Sequence, residues 1–197
     1  MSDEAKTEII SEFWAWFLSY RDQIGSATLP DDLHLDEIVE HIGRIEPGLA
    51  VEISGREDGV TEMAISADGV RESFPIVEQI VSQAPSIEGW QVIAFRQPVK
   101  GDFSLECGDL ELRPSALYFQ PVEKDGALDI IVYGRGFDNQ DRDELSYYGL
   151  IMMDNLIGEY DCVTQIRHYD FQELPDEQDR DCLLPLSQLP SFIAARK

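Results

Sequence analysis

Positive charge is scarce in this 197-residue chain. It has 15 Lys and Arg against 39 Asp and Glu, a formal charge of −24. A field this negative repels phosphate backbones, so nucleic acid is not an expected partner. Anionic membrane surfaces are disfavoured for the same reason. Cysteine is also sparse: Cys107, Cys162 and Cys182 contain no CxxC pair and form neither a disulfide framework nor a zinc pattern. They read as free thiols of a reducing compartment. No apolar run reaches the roughly 18 residues that a membrane span requires. The opening MSDEAKTEII has acids where a secretory leader needs basic residues. Cytoplasmic location is the expectation.

Catalytic signatures are lacking as well. The sequence has no GxSxG, GxxxxGK[ST], HExxH or dinucleotide fingerprint. GRGF (134–137) is too short to imply a phosphate loop. No cofactor is expected, and no residue is assigned a catalytic or metal-binding role. The chain does have core material: 9 Phe, 7 Tyr and 3 Trp, with 43% hydrophobic residues. That is enough to expect a folded protein despite the charge.

Periodicity predicts a helix over 4–20, where Ile9, Ile10, Phe13, Trp14, Phe17 and Leu18 recur at three- and four-residue spacing. Trp16 and Tyr20 widen this stripe. Its rings are expected to pack the helix onto a sheet, although its breadth also leaves room for a second subunit. Asp31 or Asp32 is placed to cap a second helix with Leu35, Ile38, Val39, Ile42 and Ile45 on its apolar face. His34 and His41 lie on one helical face, read as solvated, with Glu37 between them and about 10 Å apart, too far to chelate one ion. The pair Glu37 and His41 is too small a ligand set. Strands at 49–54 and 60–66 flank a polar turn with Asp58-Gly59. A third helix spans 73–84, with Ser73 as its cap, Pro75 in its first turn and Pro85 beyond its end. Strands follow at 90–95, 103–106, 109–113, 116–122 and 127–134. Lys124-Asp125-Gly126 joins the last two. Asp141 and Glu144 match a capping box for a helix over 142–157, ended by Gly158 in a left-handed cap. A strand over 162–171 that includes Cys162, and a short C-terminal helix or turn, complete the order ααββα-βββββ-αβ. The expected fold is a single α+β domain, 1–197, with a mainly antiparallel sheet flanked by helices.

Two carboxylate-rich segments stand out. One holds Asp138, Asp141, Asp143 and Glu144; the other holds Glu173, Asp176, Glu177, Asp179 and Asp181. The first lacks the EF-hand spacing, so a capped helix start explains it more simply than calcium. Together they form a candidate acidic interaction surface.

FWAWF (13–17), ISADG (65–69), APSIEGW (84–90) with AFR (94–96), and LIGEYD (156–161) occur in this order. Over roughly 9–170 the chain thereby resembles a family of uncharacterised bacterial proteins without an established activity. The resemblance implies no catalytic residues. Domains of this type can accompany a domain resembling the acidic protein regulators of ribonuclease E, which implies protein binding. Each motif also reads as a junction: a strand end, a helix stop, or a helix turning into a strand.

The functional expectation is a non-enzymatic module, whether inhibitor, immunity-type protein or adaptor, that meets a basic protein through its acidic surface. The alternative is a small-molecule binder or enzyme with a cleft near Arg96, Tyr133, Glu159 and His168, where a carboxylate beside a histidine supports acid–base chemistry.

Overall fold

A computed structural model describes residues 3–24, 35–55 and 59–196. The chain is a mixed α+β protein in which antiparallel strand pairs outnumber parallel ones. It divides into two compact units, Met1–Arg96 and Gln97–Lys197.

The first unit begins with α1 (Asp3–Ile24) and α2 (Leu35–Gly43). The aromatic stripe of α1 is core: Phe13, Trp14 and Phe17 are at most 3% exposed. Phe17 meets Trp90 edge-on at 5.4 Å, and Trp14 Nε1 donates to the Ile80 carbonyl at 3.0 Å. Trp16 accounts for the stripe's extra width, since it stacks on His41 of α2 at 3.7 Å. Ile38 and Ile42 turn inward on α2, but Val39, expected on that face, is exposed. His34, Asp31, Asp32 and Asp58 lie outside the described residues.

β1 (Ala50–Gly55) pairs antiparallel with β2 (Thr61–Ser66), and β2 pairs parallel with β3 (Trp90–Ala94). The crossover from β2 to β3 runs through α3 (Phe74–Ser82), which buries Phe74, Ile76, Val77 and Ile80. Ser73 occupies the N-cap position in a helical conformation and makes no side-chain cap bond, contrary to the sequence expectation. A short 3-10 turn over Arg71–Ser73 leads into the helix instead.

The second unit repeats this plan. A small hairpin, β4 (Leu105–Cys107) with β5 (Leu110–Leu112), comes first. Then β6 (Tyr118–Lys124) and β7 (Ala127–Gly134) form a hairpin. Asp125 and Gly126 have φ of 54° and 76°, the two positive angles that a tight two-residue hairpin turn requires. α4 (Arg142–Ile157) and α5 (Glu159–Gln165) carry the chain back to β8 (His168–Glu173), parallel to β7. A two-residue strand, β9 (Leu184–Pro185), borders β6, and α6 (Leu189–Ala194) follows. The sheet order is β8-β7-β6-β9. Each unit therefore contains a hairpin, a helical crossover and a parallel third strand.

Alternation in β7 is complete. Leu128, Ile130 and Val132 join the core with α4, while Asp129, Ile131 and Tyr133 face the other way. On α4, Leu145, Gly149, Met152, Met153 and Ile157 are buried. Gly149 lets the helix approach β8 closely, because a Cβ there would strike the ring of Phe171.

The strand expected over 162–171 is corrected at its start. Residues 159–165 are helical, so Cys162 is a buried residue of α5, and LIGEYD joins two helices. Gly158 has φ 85° and ψ 145°, outside the left-handed helical region expected for a cap, and it redirects the chain from α4 into α5. Tyr169 Oη donates to the Cys162 carbonyl at 3.2 Å and fastens α5 to β8.

Candidate functional site

Because β7 and β8 are parallel, the segments that follow them emerge at the same end of the sheet. These are the two carboxylate-rich segments. Glu173, the last residue of β8, joins them. Its Oε1 accepts from Gly136 N at 3.0 Å and its Oε2 from Asp138 N at 3.2 Å. GRGF thus forms a backbone nest of the kind that holds anions, with Gly136 at φ 84°, and its anion is the chain's own carboxylate. The Gly136 N–H, with those of Asp138 and Phe137, holds the Glu173 carboxyl below its ordinary pKa, against a smaller opposing effect of burial.

Asp141 is likewise committed to structure. Its Oδ1 accepts from Asp143 N and Glu144 N, both at 3.0 Å, and caps α4. The other acids of the two segments (Asp138, Asp143, Glu144, Asp176, Glu177, Asp179 and Asp181) are exposed. Three bases lie among them: Arg135 and Arg142 are exposed and Arg180 is half-buried. Arg142 donates to the Phe171 carbonyl at 2.6 Å and pairs with Asp170 at 3.1 Å, and Arg180 Nε donates to the Pro175 carbonyl at 2.8 Å. The result is a carboxylate-rich rim at the C-terminal end of the parallel strands, where open α/β sheets present their binding surfaces.

The residues of the alternative cleft do not share one face. Tyr133 and His168 lie on the side of the second sheet turned away from α4. They stand opposite Gln172 and Asp129 respectively, four residues apart along β7, or about 13 Å. Tyr133 Oη donates to Gln120 Oε1 at 3.2 Å. Burial, with the charge of Asp170, raises the Tyr133 pKa. Asp129 is held in a two-bond pair by Arg167, at 2.8 and 2.5 Å. Glu159 belongs to the helix layer, where it opens α5 and is fully buried.

Arg96 lies in the first unit at the corresponding end of its own parallel strands. Its Nε donates to Glu52 at 2.5 Å and one terminal nitrogen to Asp68 at 3.0 Å. Burial works against the guanidinium charge, but Glu52 and Asp68 outweigh it and raise the pKa. The turn it holds is ISADG. Asp68 and Gly69 have φ of 50° and 80°, and Ser66 Oγ accepts from Asp68 N at 2.9 Å. Phe95, at φ 66°, packs on Phe74 at 4.3 Å. Two of the quoted motifs, ISADG and AFR, therefore meet in one ion-paired junction. Sequence reading identified both stretches but not the Asp68–Arg96–Glu52 link, because the partners are 28 and 44 residues apart.

Elsewhere in the first unit, a shallow polar cleft is lined by Lys6, Glu46, Glu72, Pro75, Ile76 and Gln79, none of them candidate residues. Among the described residues no three His, Cys, Asp or Glu side chains gather to hold a metal ion. Cys162 lies in the core, where burial, with Asp154 nearby, pushes its thiol far above the range of a reactive thiolate. No helix among the described residues is long and apolar enough to cross a membrane. Comparison of the chain with protein-family models, curated proteins and solved structures finds no match.

Proposed function

We propose that the protein is a non-enzymatic interaction module that engages a basic surface of a partner protein through the carboxylate-rich rim of its second unit. One observation carries this reading. Parallel pairing of β7 and β8 and the Glu173 nest bring segments 138–144 and 173–181 to one end of the sheet, with seven carboxylates outside the cap and the nest exposed there. Complementary charge accelerates association and makes it salt-sensitive. A cytoplasmic setting accords with three free thiols.

The charge alone is not enough to support the reading. The first unit holds 19 acids and 6 bases and the second 20 and 9, so both are acidic. The test must therefore separate the rim from general charge. One variant replaces Asp138, Asp143, Asp176, Glu177, Asp179 and Asp181 by Asn or Gln, leaving Asp141 and Glu173 in their structural roles. A second neutralises six exposed acids of the first unit: Glu4, Glu8, Glu12, Glu37, Glu72 and Glu88. Partners are captured at low salt and at about 0.5 M, where the Debye length falls to a few Å. The reading expects a basic protein retained by wild type and by the second variant, and lost by the rim variant or at high salt. Equal retention by both variants refutes it.

A further inference from the structure

α4 has an outer face that the fold itself does not use. Its roll is fixed on the inside by Gly149 against Phe171 and by the buried Leu145, Met152 and Met153. At 100° per residue, Asp143, Tyr147 and Leu150 then fall on one outward stripe. Tyr147 is 62% exposed, the highest value for a large hydrophobic residue among the described residues, and Leu150 is 45% exposed. The Tyr147 ring stands edge-on to Tyr148 at 5.3 Å, and Tyr148 packs against the core. Asp143 and Glu144, both exposed, begin the same helix beside Asp138 and Asp141.

We infer that this outer face of α4 is a docking site for a basic amphipathic helix of a partner protein, with Tyr147 and Leu150 as its apolar centre and Asp143 and Glu144 as its charged edge. The inference rests on the acidic-rim reading and specifies where the partner sits and what it carries. Tyr147 and Leu150 are spaced i, i+3, the ridge that a facing helix receives in its groove. A facing amphipathic helix answers with apolar anchors at the same spacing and Lys or Arg toward Asp143 and Glu144. Tyrosine suits this role because it offers a large contact area at the cost of ordering few rotors, and Tyr148 already restrains it. A second copy of the chain is a poor occupant, since two bodies of formal charge −24 repel each other on approach.

The test uses the full chain and two labelled synthetic peptides, each about four helical turns long. One is an amphipathic Leu/Lys helix. The other carries the same number of lysines with serine in place of leucine. Binding is read by fluorescence anisotropy at low salt, against wild type, Leu150→Ser, and Tyr147→Ser with Leu150→Ser. Both positions are exposed, and thermal melts establish that the variants fold. The expected result is tighter binding of the Leu/Lys peptide to wild type and a loss of about tenfold in the double variant, the scale of central anchor residues. The serine peptide should bind all three proteins equally. If the Leu/Lys peptide binds the double variant as it binds wild type, the α4 site is overturned while the acidic rim stands. If neither peptide binds wild type, the rim reading and the α4 site fail together.

Discussion

Replacing Gly149 by alanine should destabilise the second unit, even though alanine is the better helix former. In a free helix the exchange gains about 1 kcal/mol. Here the added methyl would overlap three atoms of the Phe171 ring, the most distant of them, Cε2, at 2.9 Å. Phe171 is 4% exposed and its ring meets Phe137 edge-on at 6.4 Å, so it has little space into which to move. Overpacking of this kind costs about 1–3 kcal/mol. With all three ring atoms inside 3.0 Å the cost falls in the upper part of that range, and set against the gain of about 1 kcal/mol the expected net loss is about 1–2 kcal/mol, a fall of several degrees in Tm for a unit of about 100 residues. Circular dichroism melts provide the assay. Phe171→Leu, which removes the ring, should lower stability by itself, yet Gly149→Ala should cost less in that background. A coupling of at least about 0.5 kcal/mol is expected for two groups in direct contact. A higher Tm for Gly149→Ala alone, or simple additivity of the two changes, would refute the close approach of α4 to β8. The roll assigned to Tyr147 and Leu150 would then lose its basis.

Three further outcomes follow from the same geometry. Asp141→Ala removes the acceptor for two backbone N–H groups and should cost about 1 kcal/mol, read by denaturant titration, with Asp141→Ser recovering most of it. Glu173 holds its proton less tightly in the folded state than in the unfolded chain. Its contribution is therefore present above about pH 4.3 and fades as the pH falls through its lower folded pKa. Stability measured from pH 6 down to pH 3 should accordingly decline less steeply in Glu173→Gln than in wild type. Arg96 bridges Glu52 and Asp68 from two nitrogens of one planar group. Both carboxylates are more than half exposed, so solvent screening limits the loss in Arg96→Met to about 1 kcal/mol. Arg96→Lys should not restore it, because an ammonium group lacks the fork geometry; full recovery by lysine would contradict the bridge.

What was legible in the sequence had strong local causes. α4 spans 142–157 as the spacing predicts, because Asp141 supplies a cap that depends only on its neighbours two and three positions ahead. The Asp125-Gly126 turn needs two positive φ angles, and the residue types announce it. The same local logic fails at α5. Its seven residues include Val163 and Thr164, which favour strands, and they run directly into the true strand β8. Tertiary contacts oppose that preference: Cys162 is buried in the core, and Tyr169 of β8 donates to its carbonyl. β9 is two residues long and leaves no periodic signal. At the candidate site the carboxylates were visible as composition, but their assembly was not. Two segments some thirty residues apart meet only because β7 and β8 run parallel, and Glu173 looks like any other acid until Gly136 and Asp138 point their N–H groups at it.

The most direct test of the acidic rim is a residue-resolved titration. The full chain, labelled with nitrogen-15, is titrated with the Leu/Lys peptide at low salt, and backbone amide shifts are followed. The account predicts the largest changes over 138–150 and 173–181, and their disappearance at about 0.5 M salt, where screening reaches within a few Å. Changes spread evenly over the acids of both units, or centred on the first, would show that the peptide reads net charge alone and would contradict the account.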